Sequence, residues 1–327
     1  RPAKGCRPVH VLERGDVRFP LQPAAPGAIG AVPGMEAALR IADVSSEGQR
    51  RAALANWVSD PKNALTWRSI VNRAWHYHFG RGLVATPNDF GRLGATPSHP
   101  ELLDWLTATF QEEGGSLKAL HRRIVTSAAY MQASRHRDDA VRIDADNVLL
   151  WRMNVQRLDA ESVRDAVLQI AGKLDLTMGG PSIKHFQQSP GIHRTPKVDY
   201  QAFDPDAPGA HRRSVYRFIF RTVPDPFMDA LDCPDASQFT ATRTVSVTAL
   251  QALALLNDPF MVRMSEHFAK RLDTGDVKQQ VRQAYRLALN REPTEREATL
   301  IERYATRHGL ANACRVLLNS NEFSFVP

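Results

Sequence analysis

The sequence predicts a mainly α protein: an irregular multi-helix domain with long Pro/Gly-rich loops and at most a minor β element. Most periodic stretches repeat their apolar residues every 3.6 positions, and only residues 9–12 and 214–223 alternate with period 2. Proline and glycine gather in a few long stretches instead of punctuating evenly spaced short strands. With 327 residues and 43% hydrophobic content, the chain can bury a large core. The expected organisation is an extended Pro/Gly-rich arm or linker over 1–49, a main helical domain over 50–275, and a C-terminal helical subdomain over 276–327 packed on it.

The arm carries Pro2, Pro8, Pro20, Pro23, Pro26 and Pro33, which forbid long helices. Val9, Val11 and Leu12 suit one short strand before a turn at Arg14-Gly15-Asp16. Arg50 to Val58 reads as an amphipathic helix with Leu54, Trp57 and Val58 on one side, stopped by Asp60-Pro61.

The organising stretch runs from Thr66, the expected N-cap, to Phe110, and holds Trp67, Trp75 and Trp105 of the five tryptophans. Trp67, Ile70, Val71, Ala74, Trp75 and His78 fall on one helical face, which is predicted to be buried. Ser69, Asn72, Arg73 and His76 form a second stripe without Lys or Glu, which suits directed hydrogen bonding or a merely exposed face. Gly80 closes the helix from the left-handed region. The loop beyond must return toward the helix, so Arg73 or His76 is expected to meet a loop group, Asp89 being the preferred carboxylate. Ser98 and Glu101 spell a capping box for the next helix, which turns Leu102, Leu103, Leu106 and Phe110 inward.

A third helix starts near Ser116, with Lys118, His121, Arg122 and Arg123 on a solvated side, and a charged connection follows at 135–146. Arg157 to Asp165 lead a further helix on which Glu161, Arg164 and Asp165 share one side. Such a set serves acid and base roles or forms an intrahelical ion-pair network. Residues 177–211 form a long irregular excursion suited to a lid. Ser214 to Val223 is the best strand candidate, with a buried helix as the alternative. Val247–Leu256 and Phe260–Leu272 read as helices parted by Asn257-Asp258-Pro259, and three short helices close the chain, one capped by Thr294 and Glu297.

Composition excludes several functions. The longest apolar runs are too short to span a bilayer. A net charge of +7 comes from 42 basic residues scattered among 35 acidic ones without a Lys/Arg block, so nucleic-acid binding is not expected. Cys6, Cys233 and Cys314 make no CxxC, no CxxCH and no metal-ligand spacing. His76 and His78 point about 200° apart on a helix and cannot chelate together. No haem or zinc is therefore expected in this chain. Asp89-Phe90-Gly91 copies a kinase magnesium motif, but no catalytic-loop motif or phosphate loop accompanies it. A chain that begins at Arg1 without methionine is expected to be a fragment or a processed piece.

The runs VNRAWHYHFGRGLVATPNDFG, PSHPELLDWL, SLKALHRRIVTSAAYMQAS, RLDAESVRD, QALALLNDPF and LLNSNEF together resemble a planctomycete-type C-terminal domain of unknown function, domain of unknown function 1553. That resemblance covers nearly the whole chain. It implies an exported, extracytoplasmic setting (periplasmic or cell surface) and an upstream partner domain on the same polypeptide that often carries haem c. Two functional readings follow. One is an interaction module packing against the upstream domain in a redox-linked or surface assembly. The other is part of an enzyme site acting on carbohydrate or another polymer, with Arg73, His76, Asp89, His99, Arg164 and Asp165 as candidates. Convergence of such side chains in a concave pocket separates the two.

Overall fold

In the computed structural model, which describes residues 8–192, 196–236, 238, 240–272 and 275–326, the chain is mainly α with small two-stranded sheets. Cys6 lies outside the described residues. Contacts divide the chain into two compact units, Arg1–Asn154 and Val155–Pro327, whereas composition and periodicity placed boundaries near residues 50 and 275.

In the first unit β1 (His10–Leu12) pairs antiparallel with β2 (Pro20–Pro23), so the short strand before the Arg14-Gly15-Asp16 turn forms as expected. Helix α1 (Glu47–Ser59) begins three residues earlier than its apolar pattern, because the Ser46 side chain accepts the Gln49 amide and starts it there. Leu54 and Val58 on its apolar side stay exposed.

Helix α2 (Ala64–Phe79) is capped by Asn63, whose side chain accepts the Thr66 amide, so Thr66 is a first-turn residue and not the cap. Buried Asn63 wins because it also donates to Trp57 O at 3.1 Å, tying the turn after α1 to the start of α2. Val71, Ala74, Trp75 and Phe79 enter a core with Leu83, Val84, Leu103, Leu106, Phe110, Leu120 and Ile124, while Trp67 and Ile70 flank it. His78 at the stripe's end is half-buried and meets His121 at 2.8 Å. Gly80 takes φ 77° and donates its amide to His76 O, as the left-handed cap requires.

Helix α3 (Pro100–Glu112) lacks the expected Ser98–Glu101 box. His99 is its N-cap and makes no side-chain cap bond. Ser98 is held elsewhere: its amide and hydroxyl both donate to Leu83 O, at 2.8 and 3.3 Å. Pro100 at the first helical position needs no amide partner and presets φ, so the helix starts without the serine. Helix α4 (Leu117–Val125) opens at Ser116 as expected, and the charged connection contains a short helix, α5 (Asp138–Ile143).

The second unit starts with β3 (Gln156–Arg157) and continues into α6 (Ala160–Ile170), N-capped by Asp159. The excursion contains the hairpin β4 (Gln187–Ser189) and β5 (Lys197–Asp199). The expected strand over 214–223 does not form. Ser214–Tyr216 is a 3-10 turn, and the extended residues beyond it find one partner, Ile183, which bonds Tyr216 O and the Phe218 amide at 2.8 Å each. Gly179-Gly180-Pro181 precede Ile183, so no longer strand lies alongside to extend the ladder. Helices α7 (Pro226–Ala230), α8 (Ala249–Asn257) and α9 (Pro259–Arg271) follow. Then come α10 (Val277–Leu289), α11 (Glu295–His308), α12 (Leu310–Leu318) and the one-turn α13 (Asn321–Ser324), after which β6 (Phe325–Val326) returns to pair with β3. The Thr294–Glu297 capping box is present in full. The core joins Val167 and Leu168 of α6 with Met261, Met264 and Phe268 of α9, Val281 of α10 and Cys314 and Leu318 of α12.

A stability test separates two polar residues of the first unit. Asn72 is fully buried and clasps Val84 twice, donating to its carbonyl at 3.0 Å and accepting its amide at 2.8 Å. A Cβ on Gly82 would stand 2.5 Å from Val84 O, so only glycine lets the chain turn into this clasp. Asn72→Ala strands two buried backbone groups and is expected to cost roughly 2–4 kcal/mol in urea unfolding. Exposed Ser98→Ala is expected to stay within about 0.5 kcal/mol.

Candidate functional site

The six sequence candidates divide between the units. In the first, Arg73 does reach the loop, donating to Asn88 Oδ1 at 2.7 Å, next to the favoured Asp89. Asp89 Oδ1 accepts the Gly91 amide at 2.8 Å, and its carbonyl accepts the Thr86 hydroxyl at 2.7 Å, so the loop is tied within itself. His99 lies 3.0 Å from Ser98 Oγ through Nδ1. His76 is half-buried, and that burial lowers its pKa.

In the second unit, α6 presents Glu161, Arg164 and Asp165 as one set, but the set does not close on itself. Glu161 binds Arg243 with both oxygens, at 2.5 and 3.0 Å. Asp165 Oδ1 accepts the Ser214 amide and hydroxyl at 2.7 Å each and lies 3.6 Å from Arg164. Arg164 is 4% exposed and donates to the carbonyls of Ala210 and Arg212 at 2.6 and 2.9 Å and to His185 Nε2 at 3.2 Å. The helix thus keeps one intrahelical ion pair, Arg164–Asp165, and its other bonds run to the excursion, to the chain just after it and to Arg243.

Arg164 and His185 line a cavity of about 130 Å³. Tyr200, Phe203, Phe227 and Phe260 give it aromatic walls in part, and two aspartates line it, Asp225 and Asp258. Each aspartate is the N-cap of a helix and precedes a proline. Asp225 starts α7 and accepts the Phe227 amide at 2.9 Å, and Asp258 starts α9 and accepts the Phe260 amide at 2.9 Å. The Phe227 and Phe260 rings meet at 5.6 Å, which brings the two helix starts together. Arg217 forms an ion pair with Asp225 and is nearly buried.

The electrostatics set the two carboxyls apart. Burial pushes the Asp258 carboxyl up to about 6, with help from the charge of Asp225 and against the pull of the Phe260 amide. Burial, together with the neighbouring Arg164 and Arg217 charges, presses His185 down to about 3, so it is neutral at physiological pH. Burial also lowers Arg164 to about 10, with Arg217 adding to the effect, which leaves it a cation at neutral pH. An acid that holds its proton to about pH 6 beside an ion-paired carboxylate can deliver that proton to a bound oxygen.

The family can be placed at this point. The model for the PSD1 family, described as protein of unknown function (DUF1553), matches residues 50–305. The chain belongs to the PSD1 family. That match begins in α1 and runs into α11, so it includes both the Asn72 clasp and the cavity. No curated protein and no solved structure matches the PSD1 chain significantly.

Sequence reasoning missed Asp225, Asp258, Arg217, His185 and Tyr200 as a group. One signal was present: Asp-Pro-Phe-Met occurs twice, at 225–228 and 258–261. Both copies open a helix on the cavity. Among the described residues of the PSD1 chain, no group of three or more His, Cys, Asp or Glu is placed to hold a metal ion. Burial raises the Cys233 thiol to about 11 and the Cys314 thiol to about 12, which makes both poor nucleophiles and poor ligands.

Asp206 fastens the excursion to α9. Its carboxylate accepts from His267 at 2.6 Å and from Arg263 Nε at 2.5 Å, both on α9. Burial pushes this carboxyl up, but the His267 and Arg263 hydrogen bonds prevail and hold it down at about 2. A carboxyl lowered in the folded state stabilises above its ordinary pKa of about 3.8, and that contribution is lost as the pH falls toward 2. Protection of residues 196–211 against hydrogen exchange, taken relative to the intrinsic amide rate at each pH, is therefore expected to fall between about pH 4 and pH 2. Asp206→Asn is expected to show the lower protection already at pH 7 and to remove most of the acid dependence.

Proposed function

We propose that the second unit of this PSD1 chain carries an acid-assisted hydrolytic site acting on carbohydrate or another extracellular polymer. The observation that carries the reading is the Asp258 carboxyl, buried against Phe260 and lining a cavity that also holds the Arg217–Asp225 pair. Asp258 Oδ1 is occupied by the Phe260 amide, so Oδ2 presents the proton to the leaving oxygen of a bound acetal or ester. The Asp225 carboxylate, held by Arg217, lines the same cavity and can face the positive charge that develops at the anomeric carbon of an acetal. Aromatic walls suit the apolar faces of sugar rings, and they exclude water around the proton being transferred.

Asp258→Asn keeps the helix cap, since asparagine caps as well as aspartate, but removes the acid. It is expected to lower hydrolysis of a cleaved polymer by roughly 10²–10⁴-fold with little loss of binding. In the unaltered protein the rate is expected to fall as the pH rises through about 6. Turnover unaffected by Asp258→Asn across pH 5–8 would refute the assignment.

A second reading, an interaction module, is supported by the outer face of α8. Leu250 and Leu253 are 64% and 54% exposed there, with Val247 at 75% just before the helix. Such a patch suits packing against an upstream domain. The resemblance supports placing that domain on the same exported polypeptide, with any haem c residing in it: this chain has no Cys-x-x-Cys-His, and the two described cysteines are free, high-pKa thiols. No helix of the described residues is long and apolar enough to cross a membrane. Under this reading Leu250→Glu with Leu253→Glu is expected to weaken association with the separately expressed upstream part at least tenfold. Association that survives both changes would move the contact elsewhere.

A further inference from the structure

A second cavity, of about 440 Å³, lies beside the first, and the two share Tyr200, Arg217, Asp225 and Met228 in their linings. The shared residues form a fixed saddle. Tyr200 donates its hydroxyl to Val223 O at 2.8 Å, and Arg217 is locked to Asp225. The smaller cavity falls below the roughly 300–1,000 Å³ of ordinary small-molecule sites and has room for a single ring, whereas the larger falls within that range.

We propose that the two cavities are subsites of one cleft that binds a linear, neutral oligosaccharide across the Arg217–Asp225 saddle, with one residue in the smaller cavity and the rest of the chain in the larger. This deepens the hydrolytic reading above and rests on it. Three observations support it. First, the saddle belongs to both linings, so a ligand in either cavity touches the same ion pair. Second, the larger cavity offers apolar surface: Ile219 is 61% exposed, and Phe218, although packed against Phe186, keeps 36% of its surface exposed. Third, the charge is wrong for a polyanion. Although the chain carries +7 overall, the two linings bring together five carboxyl groups, those of Glu161, Asp225, Asp229, Asp235 and Asp258, and three guanidinium groups. A groove for an acidic polymer would gather the arginines instead.

Asp258 lies in the smaller cavity, so the linkage presented to its proton is the one next to the residue bound there. Hydrolysis then breaks that glycosidic bond. The proton from Asp258 goes to the departing oxygen, and water supplies hydroxide to the anomeric carbon and returns a proton to Asp258. The smaller cavity keeps a single sugar and the larger cavity the remaining chain.

Isothermal titration with linear gluco-, xylo- and manno-oligosaccharides of one to six units tests this directly, using Asp258→Asn protein so that no ligand is cleaved. For at least one series, affinity is expected to rise tenfold or more between one unit and three, then level off. Ile219→Ala, at an exposed position that the fold does not need, and Phe220→Ala, confined to the larger cavity, are expected to erase that rise. Equal affinity for one and three units, or loss of single-unit and three-unit binding to the same degree in both variants, would overturn the shared cleft while leaving the role of Asp258 standing. Tighter binding of oligogalacturonates than of every neutral series would overturn the neutral ligand. Absence of binding by every series to protein with an unchanged circular dichroism spectrum would overturn both the cleft and the polymer reading.

Discussion

One buried guanidinium organises the second unit of this molecule. Arg164 enters the interior on the inner face of α6 with a charge that burial opposes strongly enough to bring its pKa to about 10. A cation so placed is tolerated only when its donors are met, and the groups that meet them are carbonyls of Ala210 and Arg212 and the ring of His185. A chain segment rich in Gly and Pro has little regular structure of its own to hold it. Satisfying Arg164 is what draws His185 and Ala210 against α6 and forms one wall of the cavity. The Phe260 ring, 5.4 Å from the guanidinium carbon, completes the enclosure.

The opposite wall comes from a repeated local device. An aspartate before a proline caps a helix, the proline presets the first turn, and the next two residues go inward as Phe and Met. Met228 and Met261 are buried in the shared core, and the two phenylalanine rings touch. Because the caps sit immediately before these anchors, packing the anchors together also packs the carboxyls together. One carboxyl then gains Arg217 as partner, while the other is held by a backbone amide and, among the described residues, by no cation. That difference in partners, imposed on identical tetrapeptides, separates an ion-paired carboxylate from an acid.

The helices were largely legible because each rests on local physics. Ser116 and Thr294 cap where their spacing said they would, and Asn257-Asp258-Pro259 parts two helices as expected. Local signals failed where a distant partner outbid them. Ser98 gives up the expected capping box for Leu83 O, Asn63 displaces Thr66 through its bond to Trp57, and residues 214–223 lack a neighbouring strand with which to form a ladder. Arg73 reached its loop through Asn88, a choice that turn geometry decides within a residue or two.

By itself, then, the sequence determined the helical class, several helix starts and, through its longer motifs, the family, since periodicity and capping act over three or four residues. Only the tertiary structure decided which polar groups meet. His185, Arg217, Asp225 and Asp258 lie on separate segments, and nothing in their spacing along the chain brings them into one cavity. Their convergence follows from core packing of Phe227, Met228 and Met261 and from the hydrogen bonds Arg164 demands. The pKa of Asp258 likewise exists only once burial has removed water from one face of its carboxyl, a property of the folded chain that the tetrapeptide does not carry.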